Sequence, residues 1–434
     1  MADEATDISN KEQLSVVVRY VDDSKVIREA FLGFCHLSDG CTGLAIKNEL
    51  LEEVKDFGLD INLCRGQGYD GAGAVAGIYN GAAALIRSEF KKAIFVHCSS
   101  HRLNLCVAAS CSIQIVREMM DNVKSIADFF NLSPKRQGFL IENIKTHLPE
   151  SNHFVLTDVC RTRWIERIDG IERTLELYVP IIKTLEGIRM NVRTQSGDKW
   201  NAKTVTLATA LHKKLAGFEF IIALKVVNKI IGFTRKATVL LQKTEMDLAG
   251  VKSEIDTLRE KCCAFRSNID TEHGKLYKEA VEIGGKVREL PTVPRIVQTQ
   301  IYRPNAPSQT PEDYYRINLT ENFLAHLITS LNEKFDESTL ITYEGFSIIP
   351  IALVEDVKKN IPWKDKLKKF IDFYKSDLPN IEGLDSELDM WETRWVKAAK
   401  ELQQSNPMET VPKRISDTLL TSDKEFYPNI NTIL

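Results

Sequence analysis

Charge of one sign is missing from this sequence. Its 57 Lys and Arg residues stand against 60 Asp and Glu, which leaves a formal net charge of -3. That balance gives no global attraction to nucleic acid, so any such contact needs a local basic face. Long hydrophobic runs are missing too. No stretch approaches the roughly 20 apolar residues that span a bilayer. The nearest, residues 218–227, is interrupted by Glu219 and Lys225 and reads as a buried helix, so no membrane partner is expected. No basic-then-apolar leader opens the chain, and nine cysteines scattered over 434 residues make no small secreted framework. The expectation is a reducing intracellular compartment without disulfides. A P-loop is absent as well. Gly71, Gly73 and Gly77 lack the Lys-Ser/Thr ending of a phosphate cradle, so they read as a turn with close backbone approach.

What is present suffices for at least one sizeable core and two or three substructures, with 43% hydrophobic residues. Gln13–Val21 and Val26–Leu37 read as two strands of a hairpin turning at Asp22-Asp23-Ser24. Thr42–Phe57 reads as a helix, with Thr42 as N-cap, Leu44, Ile46, Leu50, Leu51 and Val54 at helical spacing, and Gly58 ending it. A short apolar segment leads to Asp70, a small-residue helix runs to Phe90, and Ala93–Val96 is apolar again. Strand, carboxylate, helix and strand in that order indicate a mixed α/β architecture. One sheet holding Val16–Tyr20, Ile27–Phe34 and Ile94–Val96 is expected. Beyond His101 the pattern turns helical. Leu248, Val251, Ile255, Leu258, Cys262 and Phe265 alternate steps of three and four, the spacing of a helix-packing seam. Residues 290–311, rich in Pro, Thr, Gln and Asn, read as a linker between helical blocks.

The stretch Gly66–Leu105 carries Gly-Gln-Gly-Tyr-Asp-Gly-Ala followed by Val-His-Cys-Ser-Ser-His-Arg-Leu-Asn-Leu. With Ala2-Asp3-Glu4-Ala5-Thr6-Asp7, Arg163-Trp164 and Tyr314-Tyr315-Arg316 in the same order, it resembles hAT-type DNA transposases. The resemblance is to the branch that includes the zinc finger MYM-type proteins and the 52 kDa repressor of the inhibitor of the protein kinase, and it covers nearly the whole chain. It implies an RNase H-like α/β core interrupted by a large all-α insertion. The corresponding division is 1–144 for the N-terminal part of the core, 145–390 for the helical region and 391–434 for a partial return. Phe426-Tyr427-Pro428-Asn429-Ile430 resembles the start of the family's closing helix.

In that family two aspartates and a distant glutamate hold two divalent ions for phosphoryl transfer. By resemblance the aspartates are Asp3 and Asp70, with Mg as the ancestral ion. Taken alone, Asp3 also reads as a terminal acid and Asp70 as a turn former. Two departures stand out. Only Met1 and Ala2 precede Asp3, so the family's central strand is almost wholly absent. The Glu-Arg block carrying the glutamate does not occur before Leu434, and Glu425 does not match it. The family's zinc-finger region and dimerisation segment are not found in the sequence either. Cys98-x-x-His101 resembles a family motif beside the active site. It is read as a buried thiol and a hydrogen-bonded imidazole that shape the site. His97 alternates to the side opposite Cys98, and no zinc site is expected, because a second ligand pair at zinc spacing is wanting. Arg163 and Trp164 resemble a DNA-contacting pair, and read equally as an exposed Arg beside a helix-packing Trp. The lysines Lys358, Lys359, Lys364, Lys366, Lys368 and Lys369 read as a solvated helix face, with phosphate contact as the alternative.

These readings imply a nuclear, transposase-derived protein that is catalytically incomplete, acting as a protein-interaction or chromatin-associated module with DNA as a candidate partner. An active two-metal transposase and a fragment of a longer zinc-finger transposase-like protein are the alternatives.

Overall fold

A computed structural model describes residues 1–38, 40–157, 164–193, 197, 199–293, 310–336, 341–405 and 411–434, without the side chains of 164–167 and 403–405. The chain forms two compact units. The first gathers Met1–Arg102, Leu240–Asp256 and Phe335–Leu434; the second gathers Leu103–Val239 and Thr257–Lys334.

In the first unit, β1 (Ala2–Thr6), β2 (Glu12–Val21) and β3 (Ile27–His36) form an antiparallel meander in that order. The hairpin turns where Lys25 takes a left-handed conformation, φ 62°. Asp22 holds the turn by accepting from Val26 N at 2.9 Å and from Arg28 Nε at 2.8 Å. Helix α1 (Gly43–Asp56) begins as expected, with Thr42 Oγ1 accepting from Ala45 N, and Gly58 at φ 70° follows its end. The strand β4 (Gly66–Tyr69) pairs in parallel with β5 (Ile94–His97), and between them lie α2 (Gly73–Ala76) and α3 (Ala82–Glu89). Leu14, Val16, Tyr69, Ile46, Leu50 and Ile86 share one apolar core between the strands and these helices. α1 lies so close to the α2–α3 turn that a Cβ on Gly43 would stand 2.0 Å from Asn80 O. This is a position where only glycine fits.

Two expectations need correction. Residues Ala2–Thr6 do form a strand, although little apolar character announces it. Ile94–Val96, expected in one sheet with Val16–Tyr20 and Ile27–Phe34, belongs to a separate two-stranded ladder. The reason lies at β1. Its one edge is paired with β2; on the other side it neighbours β4, where Met1 Cγ stands 3.3 Å from where a Gly68 Cβ would be, but the two form no ladder of hydrogen bonds.

The rest of the first unit is helical. Helix Leu384–Ser405 places Trp391 and Trp395 against Tyr427, with ring centroids 5.4 and 4.9 Å from Trp391. Trp391 is fully buried, and its Nε1 donates to Ile348 O at 2.9 Å. The closing helix Pro428–Ile433 forms as the Tyr-Pro pattern indicates, and the Glu387 carboxylate accepts from Ile430 N at 2.7 Å at its positive end.

The second unit is all helical among its described residues. Residues 218–227 are buried apart from the half-buried Glu219 and Lys225, within helix Phe218–Leu241; of the seam, Leu258, Cys262 and Phe265 are buried in this unit, while Val251 and Ile255, buried, and Leu248, half-buried, belong to the first. At Arg316–Glu321 the backbone widens into a π-turn. There the fully buried His273 meets Thr320 Oγ1 at 2.9 Å through Nδ1 and Glu312 O at 3.2 Å through Nε2. Burial pushes the His273 imidazole down to about 4, so it is neutral and donates from Nε2 to the carbonyl while accepting from the hydroxyl. No described helix is long and apolar enough to cross a membrane. Residues 294–309 of the expected linker lie outside the described residues.

Two outcomes follow from these cores. Trp391→Ala should cost about 3–5 kcal/mol in urea unfolding, as a large core truncation that also orphans Ile348 O. The unfolded chain protonates His273 near 6.5 while the folded chain resists until about 4. Stability is therefore lost as pH falls across that window, and His273→Gln should flatten this part of a pH–stability curve.

Candidate functional site

The C-terminal ends of the parallel strands β4 and β5 are where such a layout presents ligand-binding groups. Gln67 is buried on β4 and donates to Ala83 O at 3.0 Å and Ala93 O at 2.9 Å. The strand is thus pinned to both α3 and the start of β5. Asp70 follows immediately, and its Oδ1 accepts from Ala72 N at 2.9 Å, so the carboxylate itself shapes the turn. On β5, Cys98 N donates to Tyr69 O at 2.7 Å and fixes the neighbouring strand end.

The imidazole of His97 lies over this turn. A Cβ on Gly71 would come within 2.5 Å of His97 Nε2, which explains the glycine beside Asp70. His101, in the first turn of α4 (Ser99–Ser110), brings its ring centroid to 5.6 Å from that of His97. His97 Nδ1 lies 3.3 Å from Cys98 O. Burial holds the His97 pKa below the usual imidazole range; His101 and Arg102 push the same way, while the Cys98 carbonyl and Asp70 oppose them.

β1 supplies the second carboxylate, and its register decides which one. Ala2 pairs with Val16 and Glu4 with Leu14, so Ala2 and Glu4 share the face of the buried Val16 and Leu14. Asp3 pairs with Ser15 on the other face, where it is exposed and its carbonyl accepts from Ser15 Oγ at 3.0 Å. The carboxylate on β1 raised by the field of Asp70 is that of Glu4. Burial lifts its pKa first, Asp70 second, with the Cys41 thiol opposing by hydrogen bonding. Glu4 Oε1 is buried without a hydrogen-bond partner. A charged oxygen in that position is costly, so the site holds one carboxylate that resists ionisation beside Asp70.

The residues singled out from the sequence therefore meet different fates. Asp70 and His101 join one cluster, and Asp3 sits on the exposed face of β1. Cys98 lies just past β5 but is exposed, which corrects its reading as a buried thiol: the extended segment ends at His97, and Cys98 leaves the strand toward solvent. Arg163 lies outside the described residues, as does the side chain of Trp164 at the head of helix Trp164–Glu176. Among the lysines of 358–369, Lys366 pairs with Asp356 at 2.6 Å, Lys369 with Glu344 at 3.2 Å, Lys359 with Glu355 at 3.5 Å, and Lys364 with Asp389. Glu4 and His97 escaped the sequence reading. Period-two alternation from Leu14 and Val16 across the β1–β2 pair would have pointed to Glu4, had β1 been recognised.

Two-ion chemistry of the kind implied by the resemblance needs several carboxylates converging on each ion. Among the described residues no group of three or more His, Cys, Asp or Glu side chains stands where it could hold a metal ion. The described side chains do not fit such a centre as they stand.

Comparison with known proteins extends the local match. Residues 1–81 match the ZMYM1/FAM200 RNase-like domain. The whole chain aligns with the 52 kDa repressor of the inhibitor of the protein kinase, at 26% identity over 442 residues for the protein of Homo sapiens and 27% over 440 for that of Mus musculus. The resemblance to the repressor runs the whole length of the chain, and that to the RNase-like domain covers its first 81 residues. It spans 55% of the length of each repressor, so it corresponds to about half of them.

The raised Glu4 pKa has a measurable sign. Charging Glu4 works against the fold, so stability contributed by its protonated form is lost as pH rises through the folded value. Glu4→Gln should raise the urea midpoint at pH 7, and the gain should vanish at pH 4, where the parent is itself protonated.

Proposed function

We propose that this chain is a nuclear, transposase-derived regulatory module that acts by associating with protein partners or chromatin and not by cutting DNA. The observation that carries this reading is the alignment of the entire chain with a protein named as a repressor. The site supports it. The core-facing acid on β1 beside Asp70 is Glu4, and Asp3 lies on the opposite face of that strand, so the two aspartates that the resemblance assigns to one ion do not share a side.

An RNase H-like ancestry of the core also belongs to this proposal. The meander order β1-β2-β3, the parallel β4–β5 pair and the approach of Met1 to Gly68 support an arrangement in which β1 once lay between β2 and β4. In the same proposal residues 1–144 and 391–434 descend from that core and 145–390 from its helical insertion. Mg²⁺ then belongs to the ancestral reaction; of the two acids that the resemblance assigns to it, Asp70 stands at its strand end and Asp3 faces the other side of β1.

The purified chain should leave labelled duplexes with hAT-like terminal repeats uncut in Mg²⁺ or Mn²⁺. Cleavage above background that disappears in both Asp3→Ala and Asp70→Ala proteins would establish a working nuclease and overturn the proposal. Cleavage that survives both substitutions belongs to a contaminant.

A further inference from the structure

Close packing leaves few voids larger than a water molecule inside a folded chain, so a space that persists needs a physical reason. The first unit holds such a space, of about 130 Å³, among its C-terminal helices, and every residue lining it belongs to that unit. Ile348, Ile349 and Phe370 line it and are buried. Leu248, Phe346 and Ile415 line it too, as large apolar side chains left only half-buried. Ile433 of the closing helix stands at another side.

The walls are held apart by hydrogen bonds. Asp247 is buried and engages a backbone amide with each carboxylate oxygen. Its Oδ1 accepts from Gly250 N at 2.7 Å, in the first turn of helix Leu248–Ser267. Its Oδ2 accepts from Ser416 N at 3.1 Å, in the first turn of helix Ile415–Thr421. Leu248 and Ile415 are therefore kept at a set separation. On another side the turn Gly345–Ile348 already lies so close to the Phe370 ring that a Cβ on Gly345 would stand 3.0 Å from it. Ile348 O is tied in turn to Trp391 Nε1 at 2.9 Å. Collapse onto the space would break these bonds, so it stays open.

The lining selects the occupant. Among the described residues around the space none carries a charged side chain, and the one polar side chain is Thr342, whose Oγ1 is buried without a hydrogen-bond partner. A water molecule there would meet a single hydroxyl where it needs about two to four polar partners. An ionised group would meet nothing to neutralise it. A ring-sized hydrocarbon fits, since a void of about 150 Å³ walled by Leu, Ile and Phe takes up benzene, but it leaves the Thr342 hydroxyl orphaned. We propose that this cavity is a binding site for a small neutral molecule, about the size of a substituted benzene ring, whose single hydroxyl or carbonyl group meets Thr342 Oγ1. Binding here is independent of whether the cluster at Asp70 is catalytically silent.

The test is fluorine NMR titration of the full chain with para-fluorophenol and para-fluorotoluene, with the isoleucine methyl resonances of methyl-labelled protein followed alongside. The phenol should bind with a Kd in about the 0.1–1 mM range. It should move the Ile349 and Ile415 methyls and leave that of Ile230, buried in the second unit, where it is. Thr342→Val keeps the side-chain shape and removes the hydroxyl, so it should weaken the phenol by about five-fold and leave the toluene as tight as before or tighter. Ile415→Trp should fill the space and abolish binding of both probes. Leu248→Phe provides the same reading if Ile415→Trp melts early by circular dichroism. Undiminished binding by the folded, filled variant overturns the proposal. So does an equal loss of both probes in Thr342→Val, or a parent whose Ile349 and Ile415 methyls do not move with either probe.

Discussion

Asp377 receives two cations from the far end of the sequence. Arg65 donates to it through Nε at 2.8 Å and Nη2 at 2.9 Å, and Lys92 through Nζ at 2.6 Å. Burial opposes the charge, but the two cations outweigh it and hold the carboxyl below its usual range. Arg65 precedes β4 and Lys92 precedes β5, so this one carboxylate clamps both parallel strands at the ends opposite Asp70 and His97. Related ties reinforce it. Lys25 in the hairpin turn reaches Leu419 O at 3.1 Å and also Ser422 O, and Arg19 on β2 reaches Thr244 O at 2.9 Å. The N-terminal strands are held by segments that come more than two hundred residues later. A partly buried charge triad of this kind is specific in geometry more than rich in net energy, and loss of Asp377 would leave two cations facing each other.

At the opposite strand ends, register does the selecting. A strand alternates faces with every residue, so neighbouring acids on β1 cannot serve the same side. Val16 and Leu14 are committed to the core, which commits Ala2 and Glu4 with them and turns Asp3 outward. Asp70 is less constrained because it leaves its strand at a turn whose conformation it helps to fix. In the cluster that results, burial holds the Glu4 carboxyl above its ordinary range and the His97 imidazole below its own.

Much of the fold was legible where the pattern is periodic. The hairpin, the Thr42 cap, the glycine after α1 and the seam from Val251 to Phe265 all follow from spacing and turn chemistry, and each is where the sequence indicates. β1 was not, because Ala-Asp-Glu-Ala-Thr has no apolar alternation and is a strand only because β2 offers it an edge. The boundaries of the two units were not legible either. Helices Ser99–Ser110, Phe218–Leu241 and Leu248–Ser267 each run across a boundary without a break in helical pattern, and no local signal marks the residue where allegiance changes. Of the site, Asp70 and His101 could be found by resemblance. Glu4 and His97 required knowing which side of a strand faces inward, and Cys98 required knowing where the strand stops.

The interleaving of the two units has a consequence for birth on the ribosome. Residues 103–239 and 257–334 emerge before Asp377 does, so the helical unit can close while the first unit still lacks residues 335–434. At typical elongation rates, on the order of 15 to 60 seconds separate the appearance of Arg102 from that of Asp377. Throughout that interval β1 to β5 exist with the cationic anchors Arg65 and Lys92 unclaimed. Chaperone occupancy during translation should therefore concentrate on nascent chains that stop short of Asp377.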